Sequence, residues 1–110
     1  MTPLSQQLER LQATIDARRS ADPATSYTAG LLADPARAAK KLGEEAVELA
    51  IAAAQGDRAA VTAESADLLY HWLVLLAAAG VNSNDVAQAL AAREGRSGLE
   101  EKASRGSSPA

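Results

Sequence analysis

The sequence predicts an all-α protein, a helical bundle built on an antiparallel hairpin of two long helices. No segment shows the alternation of apolar and polar residues that is typical of a β-strand. Residues that typically start and end helices recur along the chain. Only Gly56 and Asp57 separate the two longest helical segments, so these helices must fold back on each other.

The first part of the chain predicts one full helix and one short apolar turn. Thr2 and Pro3 suit the N-cap and the first residue of a helix that continues to about Arg19. A polar loop follows this helix and leads into the short turn, which contains Leu31 and Leu32.

Capping residues delimit the three remaining helices. Asp, Asn and Ser side chains accept hydrogen bonds from the free N–H groups at a helix start, whereas glycine suits the left-handed residue that ends a helix. Gly56 and Gly80 are therefore expected to end the two long helices. The expected N-caps are Asp34, Asp57 and either Asn82 or Ser83, and the last helical residues are near Gln55, Ala79 and Arg93.

Length and composition indicate one domain with a thin core. The 110 residues suffice for one domain, which we expect over residues 1–96, and the polar residues 97–110 are expected to form a partly disordered tail. Alanine is abundant, phenylalanine is absent and Trp72 is the only tryptophan, so one subunit buries little apolar area. Because residues 68–79 are apolar on nearly every side of their helix, we expect a homodimer or a higher homo-oligomer.

Charge and residue types restrict the classes of partner. The sequence has no cysteine, which excludes disulfides and thiolate metal sites. A net charge of −3 argues against nucleic-acid binding through bulk positive charge, although a metal ion can neutralise a nucleotide substrate. No apolar run is long enough to cross a membrane and the N-terminus lacks the pattern of a secretion signal, so we expect a cytoplasmic protein.

Five acidic residues on the two long helices form the most informative pattern. Glu44, Glu45 and Glu48 lie on the first helix of the hairpin, and Glu64 and Asp67 lie on the second. Residues three positions apart share one side of a helix, so Glu45 projects with Glu48, and Glu64 with Asp67. Because the hairpin is antiparallel, we expect the two pairs to face each other.

These acids are expected at the edges of the packed helix faces. The predicted apolar stripes are Leu42, Ala46, Leu49 and Ala53 on one helix and Val61, Leu68, Trp72 and Leu75 on the other. Clustered carboxylates repel one another unless a cation lies among them, and oxygen ligands on rigid helices suit Mg²⁺ or Mn²⁺. Ordinary surface ion pairing is the alternative, but Glu64 and Asp67 have no basic residue three or four positions away.

The acidic pattern is similar to that of a known group of enzymes. Glu44-Glu45-x-x-Glu48 followed by Glu64-x-x-Asp67 resembles the signature of the all-α, MazG-type nucleoside triphosphate pyrophosphohydrolases. The resemblance implies Mg²⁺ bound through these carboxylates and cleavage between the α and β phosphates of a nucleotide.

The flanking residues narrow the resemblance to the phosphoribosyl-ATP pyrophosphohydrolases within that group. The matching segments are residues 26–28, 41–46, 51–53 and 64–76, together with Arg93 and residues 97–102. The first helix matches weakly, and Trp72 stands where leucine is more frequent. The resemblance implies hydrolysis of phosphoribosyl-ATP to phosphoribosyl-AMP and pyrophosphate, the second step of histidine biosynthesis.

The resemblance also implies roles for the acids. Its metal ligands correspond to Glu45, Glu48, Glu64 and Asp67, and the metal would help to ionise an attacking water. Two roles stay open for Glu44, which either orients that water as a general base or pairs with a neighbouring lysine, Lys40 or Lys41.

Candidate contacts to the substrate lie before the acids and after the last helix. The candidates are Lys40, Lys41, Ser26, Tyr27, Thr28 and Arg93. For Ser26, Tyr27 and Thr28 the alternative is a helix cap and a core tyrosine. Arg37 precedes the acids as the two lysines do and could also clamp phosphate groups, but a solvated basic face is the favoured interpretation for it. We expect His71 to be a hydrogen-bonded packing residue, because carboxylate-rich Mg²⁺ sites rarely use imidazole, and Tyr70 to belong to the core or an interface.

Two other functions fit parts of the pattern. A related enzyme that acts on other nucleoside triphosphates would use the same carboxylates, and only the flanking segments favour phosphoribosyl-ATP. A non-catalytic helical adaptor would use the acids to bind a basic partner, and it would show no metal-dependent hydrolysis.

Overall fold

The computed structural model describes residues 1–95, so residue 96 and the predicted tail at 97–110 lie outside the described residues. The described part of the chain is entirely helical apart from its connections, which confirms the predicted all-α fold class. Its helices are α1 (Leu4–Ala17), α2 (Tyr27–Leu32), α3 (Pro35–Ala54), α4 (Arg58–Ala79) and α5 (Ser83–Ala92), with a 3₁₀ turn at Arg18–Ser20.

Caps start and end the helices largely where the sequence predicts them. The carboxylates of Asp34 and Asp57 accept hydrogen bonds of 3.2 and 3.0 Å from backbone N–H groups in the first turns of α3 and α4. Of the two candidates for the N-cap of α5, Asn82 and Ser83, it is Asn82 whose side chain accepts the capping hydrogen bond of 2.8 Å from a backbone N–H. Gly56 and Gly80 follow α3 and α4 with φ values of 71° and 73°, a backbone region that favours glycine.

The first helix differs slightly from the prediction. It begins at Leu4, Pro3 is the N-cap, and no side chain accepts a capping hydrogen bond, so Thr2 does not act as the cap. The helix ends at Ala17, before the 3₁₀ turn. This turn allows the guanidinium of Arg19 to donate a 3.2 Å hydrogen bond to the carbonyl of Ala77, which ties the end of α1 to the end of α4.

The predicted antiparallel hairpin is formed by α3 and α4, which make the most extensive contact between helices. The apolar core lies at the open end of this hairpin, where α1 and α2 pack against it. Its buried members are Ile15 of α1, Leu31 of α2, Ala38 of α3, and Leu73 and Val74 of α4. The middle of the hairpin, between this core and the Gly56 turn, is therefore left for the acidic residues.

The buried face of α3 is not the predicted stripe. Ala38, Glu45 and Ala52 are the buried residues, at a spacing of seven. In the predicted stripe, Leu42 and Leu49 are only half-buried, and Ala46 and Ala53 are exposed. The packed face is therefore rotated by roughly 70° about the helix axis. The prediction failed because alanine occurs on several sides of this helix, so small apolar residues define no single stripe.

The apolar part of α4 is at least partly buried on all sides. Every residue from 68 to 78 is buried or half-buried, and the deepest side chains are His71, Leu73 and Val74. Within residues 1–95 no single helix is both long and apolar enough to span a membrane. Taken together, α4 and α5 meet the length and composition requirement, but the pair is bent by 108°.

Candidate metal centre

Three acidic side chains converge in the middle of the hairpin. Glu45 and Glu48 come from successive turns of α3, and Glu64 comes from α4 across the seam. One carboxylate oxygen from each lies within 4.8 Å of the other two. The structure thus brings together three of the five acids singled out in the sequence. One of them, Glu45, belongs to the buried face of α3.

Burial makes this cluster electrostatically unfavourable without a cation. Glu45 is only 8% exposed. The Oε2 atoms of Glu45 and Glu64 are buried and have no hydrogen-bond partner among the described residues. Desolvation first, and the adjacent carboxylates of Glu45 and Glu48 second, raise the pKa of Glu64 to about 7. Within residues 1–95 no lysine or arginine forms an ion pair with any of the three.

The donor atoms of the cluster fit a hard divalent cation. All are carboxylate oxygens, which are the ligands that such cations prefer, and they are carried by two rigid helices. The two buried oxygens without partners are the positions at which a cation would satisfy otherwise uncompensated charge.

Glu44 and Asp67 lie outside this group of three. Oε2 of Glu44 lies 3.4 Å from Nζ of Lys41, and this hydrogen-bonded carboxylate is the main cause that raises the pKa of the Lys41 ammonium group. Of the two roles considered for Glu44, the structure contains the ion pair. Asp67 is exposed one turn beyond Glu64, and its role as a metal ligand stays a prediction.

Two hydrogen bonds between side chains connect the short helix α2 to α4. The hydroxyl of Tyr27 lies 3.2 Å from Nε2 of His71, and the hydroxyls of Thr28 and Tyr70 are hydrogen-bonded to each other. The third residue of the motif, Ser26, caps α2 by accepting a 3.1 Å hydrogen bond from a backbone N–H. The cap considered for this motif is therefore present, but Tyr27 is 49% exposed, so the expectation of a core tyrosine is wrong. A contact of the motif with phosphate stays a prediction.

His71 is the centre of this connection, and its hydrogen bonds define its tautomer. Its Nδ1 lies 2.8 Å from the backbone carbonyl of Asp67, which can only accept, so Nδ1 carries the proton. In the neutral ring Nε2 then accepts a hydrogen bond from the Tyr27 hydroxyl. The prediction of a hydrogen-bonded packing histidine is confirmed, because the residue is buried and its ring also makes an edge contact with Tyr70 at 4.9 Å.

The other basic residues considered as substrate contacts or as part of a solvated face differ in their surroundings. Lys40 and Arg93 are exposed, and their contacts with substrate stay predictions. Arg37 is exposed, as expected, and its guanidinium carbon also lies 5.6 Å from the centroid of the Tyr27 ring. The sequence did not predict this contact, because the relative placement of α2 and α3 is not encoded in any local pattern.

Comparisons with known proteins identify the family of this chain. Residues 8–94 match the family described as phosphoribosyl-ATP pyrophosphohydrolase. Proteins named phosphoribosyl-ATP pyrophosphatase from Caulobacter vibrioides, Parvibaculum lavamentivorans and Paracoccus denitrificans are 64%, 60% and 60% identical to this chain. These matches cover 93%, 91% and 89% of this chain and 95%, 93% and 92% of the relatives. The chain therefore belongs to the phosphoribosyl-ATP pyrophosphohydrolase family.

Proposed function

We propose that the protein hydrolyses phosphoribosyl-ATP between its α and β phosphates, which yields phosphoribosyl-AMP and pyrophosphate in the second step of histidine biosynthesis. The observation that carries this proposal is the cluster of Glu45, Glu48 and Glu64, with two buried oxygens that lack partners. The relatives are named for their action on phosphoribosyl-ATP, which supports the choice of substrate. A triphosphate and a carboxylate cluster repel each other, so they can meet only with positive charge between them.

We propose Mg²⁺ as the cation, with Mn²⁺ as an alternative of the same chemistry. Glu45, Glu48 and Glu64 would hold it, together with Asp67 from the next turn of α4. When bound, the cation supplies positive charge that neutralises the phosphate groups and lowers the pKa of an attacking water. The buried position of Glu45 supports this assignment, because the hairpin keeps that carboxylate in place before any ligand arrives.

Side chains beside the cluster would bind and orient the nucleotide. Lys41, whose positive charge is stabilised by Glu44, lies one turn before Glu45 and is the proposed contact for the phosphates nearest the metal. We keep Glu44 as the candidate general base, because an exposed ion pair of this kind is weak and can open. The remaining proposed phosphate contacts are Lys40, Ser26, Tyr27, Thr28 and Arg93.

We also propose that the protein works as a homodimer or a higher homo-oligomer. An open apolar groove of about 440 Å³ runs between α3 and α4 and is lined by Leu42, Ala46, Leu68, Leu69 and Trp72. An exposed apolar patch of this kind is typical of a surface that contacts another protein. Leu69→Glu should convert the oligomer to monomers in analytical ultracentrifugation, and a monomeric wild-type protein would remove this part of the proposal.

The proposed setting is the cytoplasm. The substrate and both products are highly charged, and such molecules do not cross a lipid bilayer unaided. We propose neither nucleic acid nor membrane as a partner, because the net charge of −3 provides no bulk positive surface.

Pyrophosphate release tests the proposed reaction. Wild-type protein is incubated with phosphoribosyl-ATP, ATP or dUTP, in the presence of either Mg²⁺ or EDTA. We expect fast release from phosphoribosyl-ATP alone, and we expect EDTA to abolish it. Release from ATP or dUTP instead would indicate an enzyme of the same fold with another substrate, and no release from any of them would favour the non-catalytic adaptor.

A further inference from the structure

We infer that Arg37, held over the ring of Tyr27, binds the 5′-phosphate of the phosphoribosyl group and thereby distinguishes phosphoribosyl-ATP from ATP. The inference rests on the proposed function, because it assigns the part of that substrate which ATP lacks. This inference goes beyond the proposed metal site, because that site would take the triphosphate end of the substrate and Arg37 would take the phosphoribosyl end.

The positive charge of Arg37 is available to an anionic ligand. Among the described residues, no carboxylate lies within ion-pair distance of its guanidinium. Asp34, the nearest acid in sequence, uses its carboxylate to cap α3 by accepting a hydrogen bond from the backbone N–H of Arg37. A guanidinium presents paired donors that match two oxygens of one phosphate group.

This side chain is also held in place before a ligand arrives. Its guanidinium carbon lies 5.6 Å from the centre of the Tyr27 ring, within the range of a cation–π contact. Tyr27 is half-exposed, and its hydroxyl is fixed by the 3.2 Å contact with buried His71. A side chain that is already ordered loses less conformational entropy on binding, so the contact contributes more to affinity.

The position of Arg37 along α3 fits the shape of the substrate. Arg37 and Glu48 lie on the same side of the helix, three turns or about 16 Å apart. Lys41 lies between them, but its ion pair with Glu44 places its charge closer to the acids. In phosphoribosyl-ATP the triphosphate and the second 5′-phosphate lie at opposite ends of the molecule, separated by an adenine base and two riboses. If the acids and their cation take the triphosphate, the far phosphate reaches the level of Arg37.

The test compares two inhibitors that differ by one phosphate group. Pyrophosphate release from phosphoribosyl-ATP with Mg²⁺ is inhibited either by phosphoribosyl-AMP or by the same molecule without its phosphoribosyl 5′-phosphate. For Arg37→Gln we expect the KM of phosphoribosyl-ATP and the inhibition constant of phosphoribosyl-AMP to rise about tenfold to a hundredfold. We expect kcat and the inhibition constant of the dephosphorylated compound to change little. The control Arg10→Gln, on α1 and exposed, should behave as wild type.

Two variants of the supporting ring extend the test. Tyr27→Phe retains the aromatic face and should keep the preference for the phosphorylated inhibitor, whereas Tyr27→Leu removes the face and should lose part of that preference. Equal weakening of both inhibitors by Arg37→Gln, or no weakening of either, would overturn the inference. Wild-type protein that does not hydrolyse phosphoribosyl-ATP would overturn the proposed function and this inference with it. Normal hydrolysis with an unchanged Arg37→Gln variant would overturn this inference alone.

Discussion

Two positions on the same face of α3, seven residues apart, are buried in opposite surroundings. Ala38 is 1% exposed and packs among apolar side chains from α1, α2 and α4. Glu45 is 8% exposed, but it packs beside the carboxylates of Glu48 and Glu64. The same hairpin therefore contains an apolar core end and an acidic middle at nearly equal depth.

The difference separates what stabilises the fold from what the fold is used for. At the core end, burial removes apolar surface from water and lowers the free energy of the folded state. In the acidic middle, burial removes charged oxygens from water without giving them partners, which raises that free energy. A protein that needed only to fold would have no reason to keep Glu45 there, so the acidic middle points to a ligand.

Replacing a carboxylate in the acidic middle should have the largest effect on function. We expect Glu48→Gln to lower pyrophosphate release from phosphoribosyl-ATP at least about a hundredfold, because a neutral amide is a much weaker ligand for a divalent cation. We expect the same loss for Asp67→Asn, and circular dichroism should show that both variants remain folded. Normal turnover by either variant would remove that residue from the proposed metal site.

Replacing a side chain in the core end should affect stability instead. Leu31 is fully buried, so Leu31→Ala should lower the free energy of unfolding by about 2–5 kcal/mol in urea denaturation. Leu4 is 63% exposed, and Leu4→Ala is a matched control that should change this free energy by less than about 0.5 kcal/mol. Equal costs for the two variants would contradict the assignment of the core to this end of the hairpin.

The acidic middle should also make stability depend on pH when no metal is present. The pKa of Glu64 is about 7 in the folded protein, against an ordinary value of 4.5. Between these values the folded state keeps a proton that the unfolded chain has released, so Glu64 makes the protein less stable as pH rises through this window. In EDTA, Glu64→Gln should therefore melt at a higher temperature than wild type at pH 8, with a smaller difference at pH 5. An equal difference in melting temperature between Glu64→Gln and wild type at pH 5 and pH 8 would show that Glu64 does not cause this pH dependence.

The smallest expected effect concerns the turn that joins the two helices. Asp57 caps α4, and Asp57→Ala should lower the free energy of unfolding by about 1 kcal/mol without changing kcat. Asp57→Ser keeps a capping oxygen and should recover most of this loss. A large loss of turnover in Asp57→Ala would mean that the turn, and not only the middle of the hairpin, determines the geometry of the site.

Local sequence signals predicted most of the fold, because the residues that carry them act on their own neighbourhood. Asp34, Asp57, Gly56 and Gly80 start or end helices through hydrogen bonds and backbone angles within a few residues. The antiparallel hairpin follows from the short connection at Gly56. The facing of Glu45 and Glu48 with Glu64 follows from helical spacing, although Asp67 lies outside this group.

Features that depend on packing between distant residues were not predicted. The rotation of α3 that buries Glu45 depends on which small residues fit against α4. Because alanine occurs on several sides of α3, the sequence did not predict which side packs against α4. The contact between Tyr27 and His71 joins residues 44 positions apart, and Arg37 reaches the Tyr27 ring only because α2 folds over α3 and α4. These contacts require the tertiary arrangement, which the periodicity of a single helix does not contain.

The most direct test of the central claim, that the acidic middle exists to hold a cation, is the melting temperature of metal-free protein at pH 8 as Mg²⁺ is added. A ligand that binds only the folded state raises this temperature in a saturable way. We predict such a rise for wild type and none for Glu48→Gln. A wild-type protein that Mg²⁺ and Mn²⁺ leave unchanged, or a Glu48→Gln variant that rises as much as wild type, would contradict the account.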